Sequence, residues 1–461
     1  MTLHYEDSGL RLFHGSNKDV LGADALGYPF EFGYHPDRLI ADASFDSIVT
    51  DPPYELGFMG KGWDSTGIAY DVDMWRECFR VLKPGGYLLS FGGTRTWHRV
   101  AVAIEDAGFE VRDSIAWLYG SGFPKSLDVS KAIDKAAGAE RVPGELVRDR
   151  VSHLRNERYA SGPAGFSTTR GTTLAAASGE PVTGDAQTWS GWGTALKPAF
   201  EPIVVARKPF RGTVASNVLR YGTGAINIDA TRVPMSDPDR DASRIPMRAA
   251  SPAKAGTPAP RSGEYFAPAS GGRFPSNVLL SHSPLVDPST GEILGDACAE
   301  GCVVGCAVAE LDSQAPNTGG AGRASGPSLR EPTAAGVAFG ARRGLDGEPA
   351  FYGDKGGASR FFPTFRYEAK APGSERPEVD GVAHATVKPL DLMRWLVRLV
   401  TRRGGHVLDP FAGSGTTGEA ALLEGMDSTL IEFEEAHLPL ILARVRKPLQ
   451  PSMFGDWEEA S

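Results

Sequence analysis

Val407-Leu408-Asp409-Pro410-Phe411-Ala412-Gly413-Ser414-Gly415-Thr416-Thr417 decides the fold. Val407 and Leu408 read as the end of a buried strand, the glycines as a tight turn, and the two threonines as the opening of a helix, which they would cap. Glycines let a backbone approach a ligand closely, and a helix start offers unpaired N–H groups. Ser428-Thr429-Leu430-Ile431-Glu432 follows as a second strand that ends in an acid. An acid there can hydrogen-bond both ribose hydroxyls of a nucleoside. A lone Gly-x-Gly is usually only a turn; strand, glycine loop, helix, strand and acid together are far more specific.

Working outward, Asp46-Ser47-Ile48-Val49-Thr50 reads as another buried strand, and Asp51-Pro52-Pro53-Tyr54 sits at its end. Ligands of open α/β sheets lie at the carboxyl ends of strands. The Asp51 carboxylate can accept a hydrogen bond from an amine. Pro52 and Pro53 stiffen the turn and direct its carbonyls. Tyr54 offers a ring on which an extruded base can stack. Leu10–His14 reads as a strand, Met74–Leu82 as a helix closed by Lys83-Pro84-Gly85-Gly86, Tyr87–Phe91 as a strand, Trp97–Ala107 as a helix and Phe109–Leu118 as a strand. This alternation predicts an α/β fold: a parallel sheet with helices on both faces, to which both chain ends contribute.

These residues resemble the S-adenosylmethionine-dependent amino-group DNA methyltransferases. Asp-Pro-Pro-Tyr precedes the glycine loop here, which is the circularly permuted order of the beta class. Ala385-Thr386-Val387-Lys388-Pro389-Leu390 is similar to that family's lead-in helix, and the middle of the chain resembles the bacteriophage and prophage DNA methylases. The resemblance implies a Rossmann-like S-adenosylmethionine methyltransferase sheet, circularly permuted, with a long irregular target-recognition insertion. Residues 1–123 and 377–450 would form the catalytic domain, 124–376 the recognition region with a strand near 200–207 rejoining the sheet, and 451–461 a tail. It further implies catalytic roles for Asp51, Pro52, Pro53 and Tyr54. Asp409, Pro410, Phe411, Ala412, Gly413, Ser414 and Gly415 would hold the methionine portion of S-adenosyl-L-methionine, Glu432 the ribose and Lys388 the carboxylate. Ser16 departs from the Asp common at its position in relatives. Asp as the first residue of the tetrapeptide points to the N6 amine of adenine in double-stranded DNA. The alternatives are cytosine N4 and a catalytically decayed DNA-binding protein. A cytosine C5 methylase would need a cysteine, typically after proline, and none of the four cysteines follows one.

The 461 residues, 41% hydrophobic and 23% charged, suit a globular protein of two or three domains. No apolar run is long enough for a bilayer, and the start, with His4, Glu6 and Asp7, lacks the features of a signal peptide, so cytoplasmic residence without a membrane partner is expected. Net charge is −9, yet Arg141 to Arg273 holds eighteen basic and eleven acidic residues. Arg207, Lys208, Arg211 and Arg220 in that span are expected to face DNA phosphates. The loop from Glu55 to Gly67, with Phe58, Lys61 and Trp63, could close over a base. His282, Cys298, Cys302 and Cys306 leave both zinc binding and core packing open, and no metal site is assigned from sequence. Oligomeric state is likewise left open.

Overall fold

The protein is described from a computed structural model that covers residues 2–7, 9–22, 40–56, 65–119, 126–142, 179–235, 245–246, 265–266, 272–282, 285–286, 293–295, 302, 306–315, 357–365, 377–379, 381–384 and 386–447. Phe58, Lys61, Trp63, Cys298 and the tail 451–461 lie outside the described residues.

Among the described residues ten strands form one sheet: β1 Thr2–Asp7, β2 Leu10–His14, β3 Phe45–Thr50, β4 Leu82–Phe91, β5 Glu110–Leu118, β6 Phe200–Arg207, β7 Val278–Ser281, β8 Thr364–Phe365, β9 His406–Asp409 and β10 Asp427–Glu432. Their order across the sheet is β1-β2-β10-β9-β3-β4-β6-β5-β7-β8. Strands from the two chain ends interleave: β10 pairs with β2 and β9 with β3, both parallel. The sheet is mixed rather than wholly parallel, because β6 runs antiparallel to both β4 and β5, and β1 forms an antiparallel pair with β2. The span 124–376 contributes three strands to it, β6, β7 and β8.

Apolar alternation explains why the sheet is covered on both faces. Ile48, Leu88 and Val204 join one cluster with Met74, Trp75, Val100 and Ile104. Their neighbours Val49, Leu89 and Val205 join another with Leu392, Leu396 and Ala420. The helices are α1 Asn17–Leu21, α2 Val72–Val81, α3 Trp97–Asp106, α4 Val129–Ala136, α5 Gly184–Thr188, α6 Val214–Tyr221, α7 Ala307–Gln314, α8 Leu390–Val400, α9 Thr416–Leu423 and α10 Leu438–Val445. Thus α2 and α3 cover one face, α8 and α9 the other. Helix α2 buries Met74, Trp75, Cys78 and Val81, a 3.6-residue stripe, and starts at Asp71, whose carboxylate accepts from the Asp73 and Met74 amides at 2.9 and 3.3 Å.

Two boundaries differ from the sequence expectation for a physical reason. Helix α2 stops at Val81, and Lys83-Pro84-Gly85-Gly86 belongs to β4 instead of forming a loop. Gly85 sits at φ +80° where the β3–β4 register shifts, and Asn217 Nδ2 of α6 donates to the Pro84 carbonyl at 2.9 Å. The four residues therefore make a braced irregularity within a strand. Farther along the chain, a 3₁₀ turn, Ala358–Phe361, precedes the short β8.

Candidate active site

At the carboxyl end of β3, Asp51 begins the turn expected from sequence, with Pro52 buried behind it. Lys388, two residues before α8, reaches Asp51 Oδ2 at 2.8 Å and Glu201 Oε2 at 3.2 Å. The same ammonium donates to the Tyr54 hydroxyl at 2.9 Å, which donates in turn to Glu201 Oε2 at 2.7 Å. It also lies over the Tyr54 and Phe91 rings, 5.1 and 4.8 Å from their centroids. Tyr119 donates to the other Glu201 oxygen at 3.3 Å. Lys388, expected at a cofactor carboxylate, is held between two acids in this structure. The start of α8 brings it to the ends of β3 and β6.

Asp51 Oδ1 is buried and has no hydrogen-bond partner among the described residues. Such an oxygen is costly unless a ligand supplies a donor. Burial pushes the Asp51 carboxyl above the usual range; Lys388 pulls it back and Glu201 pushes it up again. Burial also works against the Lys388 charge, but Asp51 and Glu201 outweigh it and raise the ammonium's pKa. Burial, then the Asp51 and Glu201 charges, hold the Tyr54 phenol well above its ordinary value, so it stays a neutral donor. With all three groups ionised, Asp51, Glu201 and Lys388 carry one net negative charge.

Beside this cluster runs the glycine loop. Asp409 ends β9 only 2% exposed. Thr50 Oγ1 and Thr417 Oγ1 donate to its two oxygens at 2.6 Å each, and the Phe411 amide donates to Oδ1 at 3.0 Å. Burial nevertheless pushes its carboxyl up to about 6. Asp409 thus ties the strand end, the loop and the first turn of α9 together, and Thr417, expected to cap the helix, serves that tie. Pro410, Phe411 and Ala412 follow the strand, with Phe411 6.4 Å from the Trp75 ring and the Ala412 amide donating to Ile431 O at 3.0 Å. Gly413 and Gly415 adopt φ +53° and +80°. Ser414 Oγ lies 3.2 Å from Thr416 Oγ1.

Glu432 ends β10 and faces this loop. Its Oε2 accepts from the Gly413 amide at 2.7 Å, and its Oε1 from the Glu434 amide at 2.9 Å and lies 3.2 Å from His437 Nδ1. Ionised carboxylate oxygens have about four acceptor sites in all. Among the described residues Oε2 accepts from one amide, which leaves room in its acceptor capacity for a hydroxyl. His384 closes the loop from above, stacked edge-on against His437 at 4.6 Å. Burial and the nearby His437 lower His384 to about 4, so it is neutral at pH 7. A Cβ on Gly413 would sit 3.2 Å from His384 Nε2, and one on Gly415 2.9 Å from Ile441 Cγ2. This bare backbone, the acid beside it and the unpaired Asp51 oxygen fit a nucleoside ligand with a reactive end toward Asp51.

The sequence matches the N6/N4 DNA methylase family over residues 45–443. The chain belongs to that family. It is similar to the type II methyltransferase M.HindIII of Haemophilus influenzae, 29% identical over 160 residues, 34% of this chain and 38% of the relative. It is also similar to M.HpaI of Haemophilus parainfluenzae, 31% identical over 104 residues, 21% of this chain and 32% of the relative. The chain therefore spans about two fifths or less of the length of these relatives. Among solved structures it is similar to the cytosine-N4-specific PvuII DNA methyltransferase, at 11% identity and TM-score 0.39, covering 96% of this chain and 88% of that one. It is similar to M1.HpyAVI in its SAM complex at 12% identity and TM-score 0.35, covering 95% and 99%.

Two residues of the site escaped the sequence reading. Glu201 completes the Lys388 cluster from β6, and Thr50 holds Asp409 across 359 residues. Glu201 does carry a signal, being an acid set between Phe200 and Pro202 at the head of an apolar strand. The four cations expected to meet DNA lie elsewhere. Arg207 pairs with Tyr87 at the far end of β4 from Asp51. Its guanidinium is 2.8 Å from Glu110, while Lys208 Nζ donates to Leu82 O at 2.7 Å. Arg211 and Arg220 belong to the same end, beside the Pro84 corner that α6 braces.

Proposed function

We propose that the protein transfers a methyl group from S-adenosyl-L-methionine to the N6 amine of adenine in double-stranded DNA. One observation supports this most: a buried carboxylate oxygen of Asp51, without a donor among the described residues, at a strand end beside Tyr54 and the glycine loop. An exocyclic amine supplies the donor that this oxygen lacks. The bound cofactor would supply an electrophilic methyl on a sulfonium. Gly413, Ser414 and Gly415 would hold its methionine portion and Glu432 its ribose, with Asp409 fixing the loop that positions both.

An aromatic amine is a poor nucleophile because its lone pair is delocalised into the ring. Hydrogen bonds from its two protons to Asp51 Oδ1 and to the Pro52 carbonyl favour a tetrahedral nitrogen with a localised pair. Positive charge then builds on the nitrogen, and the net negative cluster of Asp51, Glu201 and Lys388 stabilises it in a water-poor site. The proton released from nitrogen passes to Asp51, whose raised affinity for protons suits an acceptor. Lys388 fixes Asp51 through Oδ2 and leaves Oδ1 for the amine. Tyr54, its hydroxyl tied to Glu201, presents its ring to an extruded base. The Asp at the head of the tetrapeptide supports adenine over cytosine.

Replacing Asp51 with Ala removes the acceptor. Methyl incorporation into DNA is then expected to fall by about 10³-fold or more, the scale of a lost oxyanion-hole donor. Cofactor affinity, read by calorimetry, is expected to change far less. Near-normal turnover in Asp51→Ala would overturn the assignment.

A further inference from the structure

Cys302, Cys306 and His282 stand apart from the active site and serve no step above. His282 follows β7, and its amide donates to Phe365 O of β8 at 3.0 Å. Cys306 is the N-cap residue of α7 and is fully buried among Leu280, Val308 and Phe362. Cys302 is exposed. The helix begins only after Cys306, so Cys302 and Cys306 do not share a face of it. Both sulfurs lie 3.5 Å from the same ring nitrogen, His282 Nδ1, and all three atoms fall within 4.8 Å of one another.

We propose that these three side chains bind a structural zinc ion that fastens α7 to the edge of the sheet. Tetrahedral coordination with Zn–S near 2.3 Å and Zn–N near 2.05 Å places sulfur and nitrogen about 3.6 Å apart. The two observed separations match that edge. A single imidazole nitrogen has one lone pair, or one proton, to share. Facing two thiols at equal distance, it has the geometry of ligands around a common centre. Core packing accounts for Cys306 but not for Cys302, which is exposed. The group contains thiols and imidazole without a carboxylate, a set that suits zinc and not magnesium or calcium. Binding would release two thiol protons, and two thiolates would neutralise the dication. Among the described residues three ligands are found, and a further donor or a water would complete the tetrahedron.

The position also gives the ion something to hold. Ser281, next to His282, accepts from Trp117 Nε1 at 2.8 Å. The Trp117 ring lies 5.1 Å from that of Tyr119, the residue that donates to Glu201. The zinc would thus anchor the strand end behind that wall of the active site.

Metal analysis of the full chain, purified without chelator from zinc-supplied cells, tests this independently of methyl transfer. About one zinc per chain is expected, falling at least tenfold in Cys302→Ser, Cys306→Ser and His282→Ala. Because a variant could fail to fold, the unaltered protein gives a second reading. Cobalt substitution should yield tetrahedral visible bands with thiolate charge transfer, and chelation should make Cys302 and Cys306 react rapidly with a thiol reagent. Folded protein without stoichiometric zinc, thiol reactivity indifferent to chelator, or a Cys302–Cys306 disulfide on peptide mapping would overturn the site.

Discussion

Lys388 shares its charge between two acids, and the second of them adds to the upward push that burial gives the first. Glu201 raises the Asp51 pKa through space, so Glu201→Gln should lower it. The acid limb of the kcat/KM profile is expected to move to lower pH, while kcat falls by about tenfold or more with the loss of negative charge near the reacting nitrogen. An acid limb that stays in place would contradict the coupling. Asp409 gives a stability test. Its folded pKa of about 6 lies above the ordinary 3.8, so the folded state holds the proton more tightly than the unfolded one. The stability this contributes is full below pH 4 and is lost as pH rises through 6. Its size is on the order of 2–3 kcal/mol. Asp409→Asn should lack this slope in denaturant titrations at pH 4, 5, 6 and 7, and an identical slope would refute the buried charge. Asp51, Tyr54 and Glu432 were legible in sequence because each ends a recognisable strand or sits in a stiff turn. Glu201 and the acid pairing of Lys388 were not, since their meaning lies in contacts across 147 to 337 residues.

Glycine 415 shows what the turn into α9 requires. A side chain there meets both a left-handed backbone at φ +80° and Ile441 at 2.9 Å. Gly404, at φ +70°, has open space around its missing Cβ. Gly404→Ala should therefore cost only the backbone term, about 1 kcal/mol, and Gly415→Ala more, about 2–4 kcal/mol, with weaker cofactor binding. Equal losses in equilibrium unfolding would show that close packing of loop on helix does not matter. The elements that sequence located best were those with a strong apolar period, α2, α3 and the central strands. Glycines and proline between Lys83 and Gly86 signalled a loop, yet the chain continues as strand because Asn217 satisfies the Pro84 carbonyl from another helix. Local composition could not announce that partner.

Across the whole molecule, two chain ends interleave in one sheet, and the Asp51 cluster and the Gly413 loop meet where β3 and β9 end side by side. The order of landmarks in the sequence anticipated that both chain ends would share one sheet. The reach of the middle segment into the sheet was less visible, since β7 and β8 are only four and two residues long. Among the described residues, no helix is long and apolar enough to cross a membrane. Of the basic residues singled out in the middle segment, Arg207 and Lys208 do not gather at the Asp51 end. Arg207 and Lys208 are engaged at the opposite end of the sheet, so neutralising Arg207, Lys208, Arg211 and Arg220 together should change the log–log salt slope of DNA binding by less than about 0.9, one phosphate contact. A drop of three or four contacts would place DNA on that end instead. The most direct test of the central claim is nucleoside mass spectrometry of DNA incubated with the protein and methyl-labelled S-adenosyl-L-methionine. Labelled N6-methyladenine that disappears with Asp51→Ala is the expected result; label confined to cytosine, or cofactor bound with no label in any DNA, would contradict it.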